Sequence, residues 1–161
     1  MQHDLTLCSG ADINAQDEVG ETCLHAAIRA GQAAIAEKFL SQGITNASAL
    51  THKEQTPLHY LGLYPRDKAL QIFQALARRI SELNPVDAEG NAPLYYAYLN
   101  GAAALCKALV QSGAHLSLPN KQGLSCFDVQ APNKKLLYQL IGMAHCATCV
   151  LLTLVCRLYP L

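Results

Sequence analysis

Charged side chains are scarce in this sequence. Asp, Glu, Lys and Arg make up 15% of its 161 residues, and 12 basic groups balance 12 acidic ones. A net charge of zero leaves no long-range field to draw the chain to nucleic acid or to an anionic membrane. Phosphate-cradling signatures are missing too: neither G-x-x-x-x-G-K-[ST] nor G-x-G-x-x-G occurs, and H-E-x-x-H is absent. The opening Met1-Gln2-His3-Asp4 sets no basic flank before an apolar run, so no secretory signal is expected. What the sequence has in quantity is apolar surface. Hydrophobic residues reach 51%, in a chain long enough to bury a sizeable core as one domain.

Seven cysteines, at 8, 23, 106, 126, 146, 149 and 156, are an odd number. The first four fall where small buried side chains are expected. Free cysteine behaves there as a small hydrophobe, which points to reduced thiols in the cytoplasm. Asn46-Ala47-Ser48 fits a glycosylation sequon, but in that compartment it would not meet the modifying enzyme.

One phrase recurs. Thr22-Cys23-Leu24-His25, Thr56-Pro57-Leu58-His59, Ala92-Pro93-Leu94-Tyr95 and Ser125-Cys126-Phe127-Asp128 follow each other at steps of 34, 36 and 33 residues. A period near 33 with a T-P-L-H core is the signature of ankyrin repeats, each a turn and two antiparallel helices. The fold expected is all-α: a solenoid of helix-turn-helix units with short β-turn arms. About four repeats follow a partial N-terminal one. The expected boundaries are 1–16 (partial), 17–49, 50–86, 87–119 and 120–141, with an apolar, cysteine-rich tail at 142–161 outside the fold. Because solenoids need terminal caps, an array that opens inside a repeat reads as a fragment of a longer one.

In the first full repeat Asp17-Glu18-Val19-Gly20 makes the turn and Thr22 caps a helix. Leu24, Ala26, Ala27 and Ile28 face inward from that helix, and Ile35, Phe39 and Leu40 from the next. The second repeat departs from this pattern. Pro65 cannot continue a helix, so the inter-helix loop is rebuilt. A long second helix is expected over about Lys68 to Leu83, with Ala69, Ile72, Phe73, Leu76 and Ile80 inward. The third repeat returns to form. In the fourth, Pro132 cuts the first helix short, and Leu136 to Ile141 supply a short closing helix.

His25 and His59 sit where this repeat uses histidine as a structural donor and acceptor between neighbouring turns. No third orienting group stands at a plausible spacing for nucleophilic catalysis, so a non-enzymatic chain is expected, with no cofactor. At the far end, His145, Cys146, Cys149 and Cys156 are nominally four zinc ligands. Adjacent His145 and Cys146 cannot easily reach one ion, however, and no second C-x2-C follows. The uncharged stretch from Leu136 to Cys156 reaches the length of a spanning helix, about 20 residues. Gln139, Gly142, His145 and two threonines dilute it. A small zinc site and a tail anchor stand as alternatives to a loosely attached terminus.

From Asp17 to Ile141 the sequence resembles the last ankyrin repeats of the rabankyrin family, endosomal proteins with ankyrin repeats and a FYVE domain. The phrases that carry the resemblance are Gln55 to His59 with Tyr64-Pro65, Asp87 to Asn91, and Ala97-Tyr98 with Leu105-Cys106. The resemblance implies an adaptor for vesicle trafficking, cytoplasmic and endosome-associated, acting through protein partners. After Ile141 there is no W-x-x-D, no H-H-C-R segment and no array of cysteine pairs. Direct lipid binding is therefore not expected of this polypeptide, nor is binding of nucleic acid. The surface expected to meet a protein partner is concave, made of turn tips and first helices. Charge alternates along the tips: Asp17 and Glu18, then His52 and Lys53, then Asp87 and Glu89, then Lys121. Such alternation sets specificity and on-rate more than affinity.

Overall fold

The computed structural model of the chain describes residues 12–43, 45–65, 67–128 and 134–143. Among them are seven α-helices and no strands: α1 (Cys23–Arg29), α2 (Ala33–Ser41), α3 (Pro57–Leu63), α4 (Ala69–Ala77), α5 (Pro93–Leu99), α6 (Ala103–Gln111) and α7 (Lys134–Met143). Three first helices of 7 residues alternate with three second helices of 9. Each first helix begins at the recurring phrase. Thr22, Thr56 and Ala92 are N-caps with extended backbone, and Pro57 and Pro93 occupy the first helical position. There proline's fixed φ suits the helix and its missing N–H costs no hydrogen bond.

The helices form two layers. α1 packs on α3 and α3 on α5, while α2 packs on α4 and α4 on α6; α7 closes against α6. Leu24, Leu58 and Leu94, each the second residue of its helix, are at most 2% exposed and form one spine through the first layer. Ile28, Leu61, Ala97 and Tyr98 extend it, and Ala36, Leu40, Ile72, Leu76, Leu105 and Leu109 fill the space between layers. The approach between α3 and α5 is very close. A Cβ built on Gly62 would stand 2.6 Å from the Pro93 carbonyl oxygen and 2.9 Å from the Ala97 nitrogen.

The 36-residue step is explained by the inter-helix turn of the second repeat. α1 and α2 are joined by residues 30–32 and α5 and α6 by 100–102, but α3 and α4 by 64–68, two residues longer. The rebuilt loop around Pro65 therefore absorbs the whole excess. The long helix expected to reach Leu83 is not present: α4 stops at Ala77. The stop matches the 9-residue length of α2 and α6, and residues 78–86 run as a loop into the next turn. Instead of prolonging the helix, Arg79 reaches back and donates from Nη2 to the Gly43 carbonyl at 2.8 Å. Ile80 is half-buried from the loop.

Cys23 differs from expectation. It is exposed, although Pro57 and Pro93 at the same helical position are buried, whereas Cys106 and Cys126 are buried and free. Burial pushes both of those thiols up to about 12. Cys8 lies outside the described residues. In the fourth repeat only a turn stands in place of a first helix over Cys126–Asp128, followed after residues 129–133 by α7. Leu136, Leu140 and Ile141 of α7 are buried in the core, as a closing element requires, and the helix runs two residues past Ile141.

Candidate interaction surface

Each turn arm is built by one side chain at its first position. Asp17 Oδ1 accepts from the Val19 and Glu21 N–H groups at 3.0 and 2.8 Å, and Asp87 Oδ1 from Glu89 and Asn91 at 3.0 and 2.9 Å. Asn120 Oδ1 accepts from Gln122 and Leu124, both at 3.0 Å. In the second arm Thr51 does less, accepting only from the Gln55 N–H at 3.2 Å. The fourth residue of each arm has positive φ: Gly20 (81°), Glu54 (59°), Gly90 (82°) and Gly123 (79°). Glycine adopts this conformation freely, while glutamate adopts it at a cost.

The arms bond to one another through the backbone. The His52 N–H donates to the Val19 carbonyl, Ala88 to Lys53, and Lys121 to Glu89, at 3.1, 3.0 and 3.0 Å. Lys121 Nζ adds a bond to the Ala88 carbonyl at 2.7 Å.

Both histidines tie repeats together. The Thr22 N–H donates to His25 Nδ1 at 3.2 Å and the Thr56 N–H to His59 Nδ1 at 3.0 Å. A backbone N–H can only donate, so each Nδ1 must be an unprotonated acceptor. Each Nε2–H then donates across to the next repeat, from His25 to the Gln55 carbonyl at 3.3 Å and from His59 to the Asn91 carbonyl at 3.0 Å. Burial lowers the pKa of both imidazoles, against the opposing pull of these carbonyl bonds and of nearby carboxylates. In the fourth repeat a different pair makes the local bond, with Asp128 Oδ2 accepting from the Ser125 N–H and hydroxyl at 2.8 and 2.6 Å. The third repeat has Ala92 and Tyr95 and no such bond.

The structure places Asp17, Glu18, His52, Lys53, Glu89 and Lys121 at the surface of the arms. Asp87 is different, at only 2% exposed. Its Oδ2 accepts from the Tyr96 hydroxyl at 2.6 Å and from Gln55 Nε2 at 3.3 Å, in addition to the two N–H bonds to Oδ1. Burial alone would raise its carboxyl, but these four bonds outweigh it and hold the group below the usual carboxylate range. The Asp87 carboxylate is thus a structural centre of the third repeat and presents no free charge to a partner.

Tyr64, Tyr95 and Tyr96, on and beside α3 and α5, form a partly exposed edge that sequence reasoning missed, while Tyr60 and Tyr98 are buried. Tyr60 and Tyr96 occupy the same helical position. The Tyr60 hydroxyl donates to Glu21 Oε1 at 2.8 Å, and Glu21 Oε2 lies 3.0 Å from Arg29 Nη2. Burial raises both phenols. Tyr60 meets the His25 ring edge-on at 4.8 Å and Tyr64 at 5.6 Å; Tyr95 and Tyr96 are 6.0 Å apart. Tyr64 and Leu99 are 38% and 45% exposed at the ends of α3 and α5. The signal available in the sequence was the repeated Leu-His-Tyr-Leu and Leu-Tyr-Tyr-Ala, with tyrosine where only a small helical surface residue is needed.

No group of three or more His, Cys, Asp or Glu among the described residues could hold a metal ion, and no described helix is long and apolar enough to cross a membrane. His145, Cys146, Cys149 and Cys156, and the part of the candidate anchor beyond Met143, lie outside the described residues.

Residues 3–76 match the family model for ankyrin repeats in three copies. The chain is similar to Rabankyrin-5 of Mus musculus, 39% identical over 107 residues, and of Homo sapiens, 37% identical over 107 residues. Each match covers 65% of this chain and 9% of the relative, so the chain spans less than a tenth of those proteins. It is also 31% identical over 100 residues to Alpha-latrotoxin-Lhe1a of Latrodectus hesperus, covering 62% of this chain and 7% of the toxin. The helical pairs, the bonded arms and the matched segment together give the described chain the fold of an ankyrin-repeat solenoid.

Proposed function

We propose that the chain is a non-enzymatic protein-interaction module. Its contact surface is the line of first helices together with the arm tips. The observation that carries this reading is the tyrosine-rich edge. Tyr64, Tyr95, Tyr96 and Leu99 remain partly or largely exposed on helices whose other faces are buried. Tyrosine offers a large contact area at a small cost in side-chain entropy and is enriched where binding energy concentrates. Around it the tips present Asp17, Glu18, Lys53, Glu89 and Lys121, charges suited to selecting a partner rather than holding it, with the His52 ring beside them. The histidines and Asp87, by contrast, are engaged in holding repeats together.

The partner sought first is a protein of endosomal trafficking. The likeness to Rabankyrin-5 and the rebuilt Tyr64-Pro65 turn support this reading. The chain would act from the cytoplasm, at endosomes through its partner. The test is affinity capture from cell extract with the full chain, its Tyr64→Ala/Leu99→Ala variant, and its Lys53→Glu/Glu89→Lys variant. Circular dichroism verifies that each is folded. Loss of the same endosomal proteins in the aromatic variant, and their exchange or weakening in the charge variant, is the expected result. Undiminished capture by a folded aromatic variant would refute the surface assigned here.

A further inference from the structure

We propose that the two buried histidines make the array open by degrees in mild acid, at the contacts of the first repeat with the second and of the second with the third, while the closing contact of α7 on α6 holds. Each Nδ1 accepts from a backbone N–H that caps its own helix, and each Nε2–H donates to a carbonyl of the following repeat. A protonated imidazole has two donors and no acceptor. Protonation therefore sets Nδ1–H against the N–H of Thr22 or Thr56. The Thr22 and Thr56 hydroxyls, 2.9 and 3.0 Å from Nδ1, can accept that hydrogen only by turning their own away, and the capping N–H then faces a cation with no acceptor. A ring that leaves this strained site releases both the helix cap and the bond to the next repeat.

The groups facing the rings do not remove that conflict. His25 is faced by Asp17 and Glu21 from its own turn and by His59 and Tyr60 from α3. His59 is faced by Asp87, by the Asn91 and Pro85 backbone, and by Tyr96 from α5. The carboxylates favour a nearby cation. They are already engaged, however: Glu21 with Tyr60 and Arg29, and Asp87 with Glu89, Asn91, Tyr96 and Gln55. Neither offers Nδ1 a replacement acceptor.

The end of the array is built otherwise. α6 and α7 contain no histidine, and the link from the third repeat to the fourth runs through Asn120 Nδ2 to Asn91 Oδ1 at 2.9 Å and the Lys121 bonds. In a stack where each repeat contacts only its neighbours, such contacts can open separately.

Above the unfolded imidazole value of about 6.5 both states are neutral and the contacts keep their full stability. As pH falls below that value, the opened state binds a proton that the closed state excludes, so opening becomes up to about tenfold more favourable per pH unit for each histidine released.

The test is amide hydrogen exchange on the full chain between about pH 7 and pH 5, corrected for the intrinsic pH dependence of exchange. Protection in α1 and α3 should fall by up to about tenfold per pH unit, while α7 stays level. Level protection in α1 and α3 would overturn the proposal, and so would a fall in α7 in step with theirs. His25→Gln and His59→Gln keep a side-chain acceptor for the capping N–H but cannot titrate. In each variant the pH dependence of its own helix should disappear, and persistence of that dependence would equally overturn the proposal. Should a variant fail to fold, exchange in the unaltered chain decides alone.

Discussion

Replacing glycine by alanine inside a helix normally stabilises it by about 1 kcal/mol, because the unfolded chain has less freedom to lose. At Gly62 the sign should reverse. The new Cβ would lie 2.6 Å from the Pro93 carbonyl oxygen and 2.9 Å from the Ala97 nitrogen, where ordinary contact begins at 3.4 Å. Both opposing atoms belong to the α5 backbone, so no side chain can rotate aside. α3 and α5 would have to separate by several tenths of an ångström, loosening Leu58, Leu61, Leu94 and Tyr98, each at most 2% exposed. Overpacking of this kind costs about 2 kcal/mol, within a span of roughly 1 to 3. Set against the gain in propensity, Gly62→Ala should destabilise by about 1 kcal/mol, lowering Tm by about 3 °C in a chain of this size. Gly142→Ala is the control. That glycine is exposed near the end of α7 with nothing within 4 Å of a built Cβ, so the same substitution should be neutral or slightly stabilising. Urea and thermal melts of both variants measure the contrast. A Gly62→Ala protein as stable as the unaltered chain would show that α3 and α5 do not approach as closely as the packing requires.

Glu54 has φ of 59° at the arm position occupied elsewhere by Gly20, Gly90 and Gly123. Glu54→Gly should therefore stabilise by about 1 kcal/mol, read as a higher urea midpoint, and Glu54→Val should lower it; equal midpoints for the two would contradict the assignment. Asp87→Ala leaves the Asn91 N–H, itself buried, and the Tyr96 hydroxyl without their acceptor. The expected loss is about 3 kcal/mol on the scale of unsatisfied buried donors, with Asp87→Asn losing less. Charge reversal at Asp87 should accordingly unfold the third repeat, so that its effect on partner capture reports folding, whereas reversal at exposed Glu89 reports binding. A stable, folded Asp87→Lys protein would refute the structural role.

The repeat architecture was readable because three local signals coincided: a proline or cysteine at the first helical position, leucine at the second, and histidine or tyrosine one residue on. Each has a separate physical reason to be there, and their recurrence at 34 and 36 residues placed α1, α3 and α5 correctly. The apolar stripe of the second repeat was misleading by comparison. Ile72, Leu76 and Ile80 keep helical spacing to the end, but the position of α4 is set by its neighbours in the stack. A helix that must pack between two 9-residue partners stops where they stop, and the chain beyond is needed for the next arm. Periodicity reports which side chains want burial; it does not report how much length the adjoining layer can cover. The same distinction separates Asp87 from Glu89. Both are acidic arm residues in the sequence, and only the Tyr96 hydroxyl and the Gln55 amide, arriving from α5 and from the preceding repeat, decide that one carboxylate is consumed internally. A contact surface on this array is consequently defined by what the stacking leaves over. Tyr64, Tyr95 and Leu99 remain at that surface because neither the polar groups of the arms nor the packed helix faces use these side chains in full, and Tyr96 stands beside them with its hydroxyl given to Asp87 and its ring only partly covered.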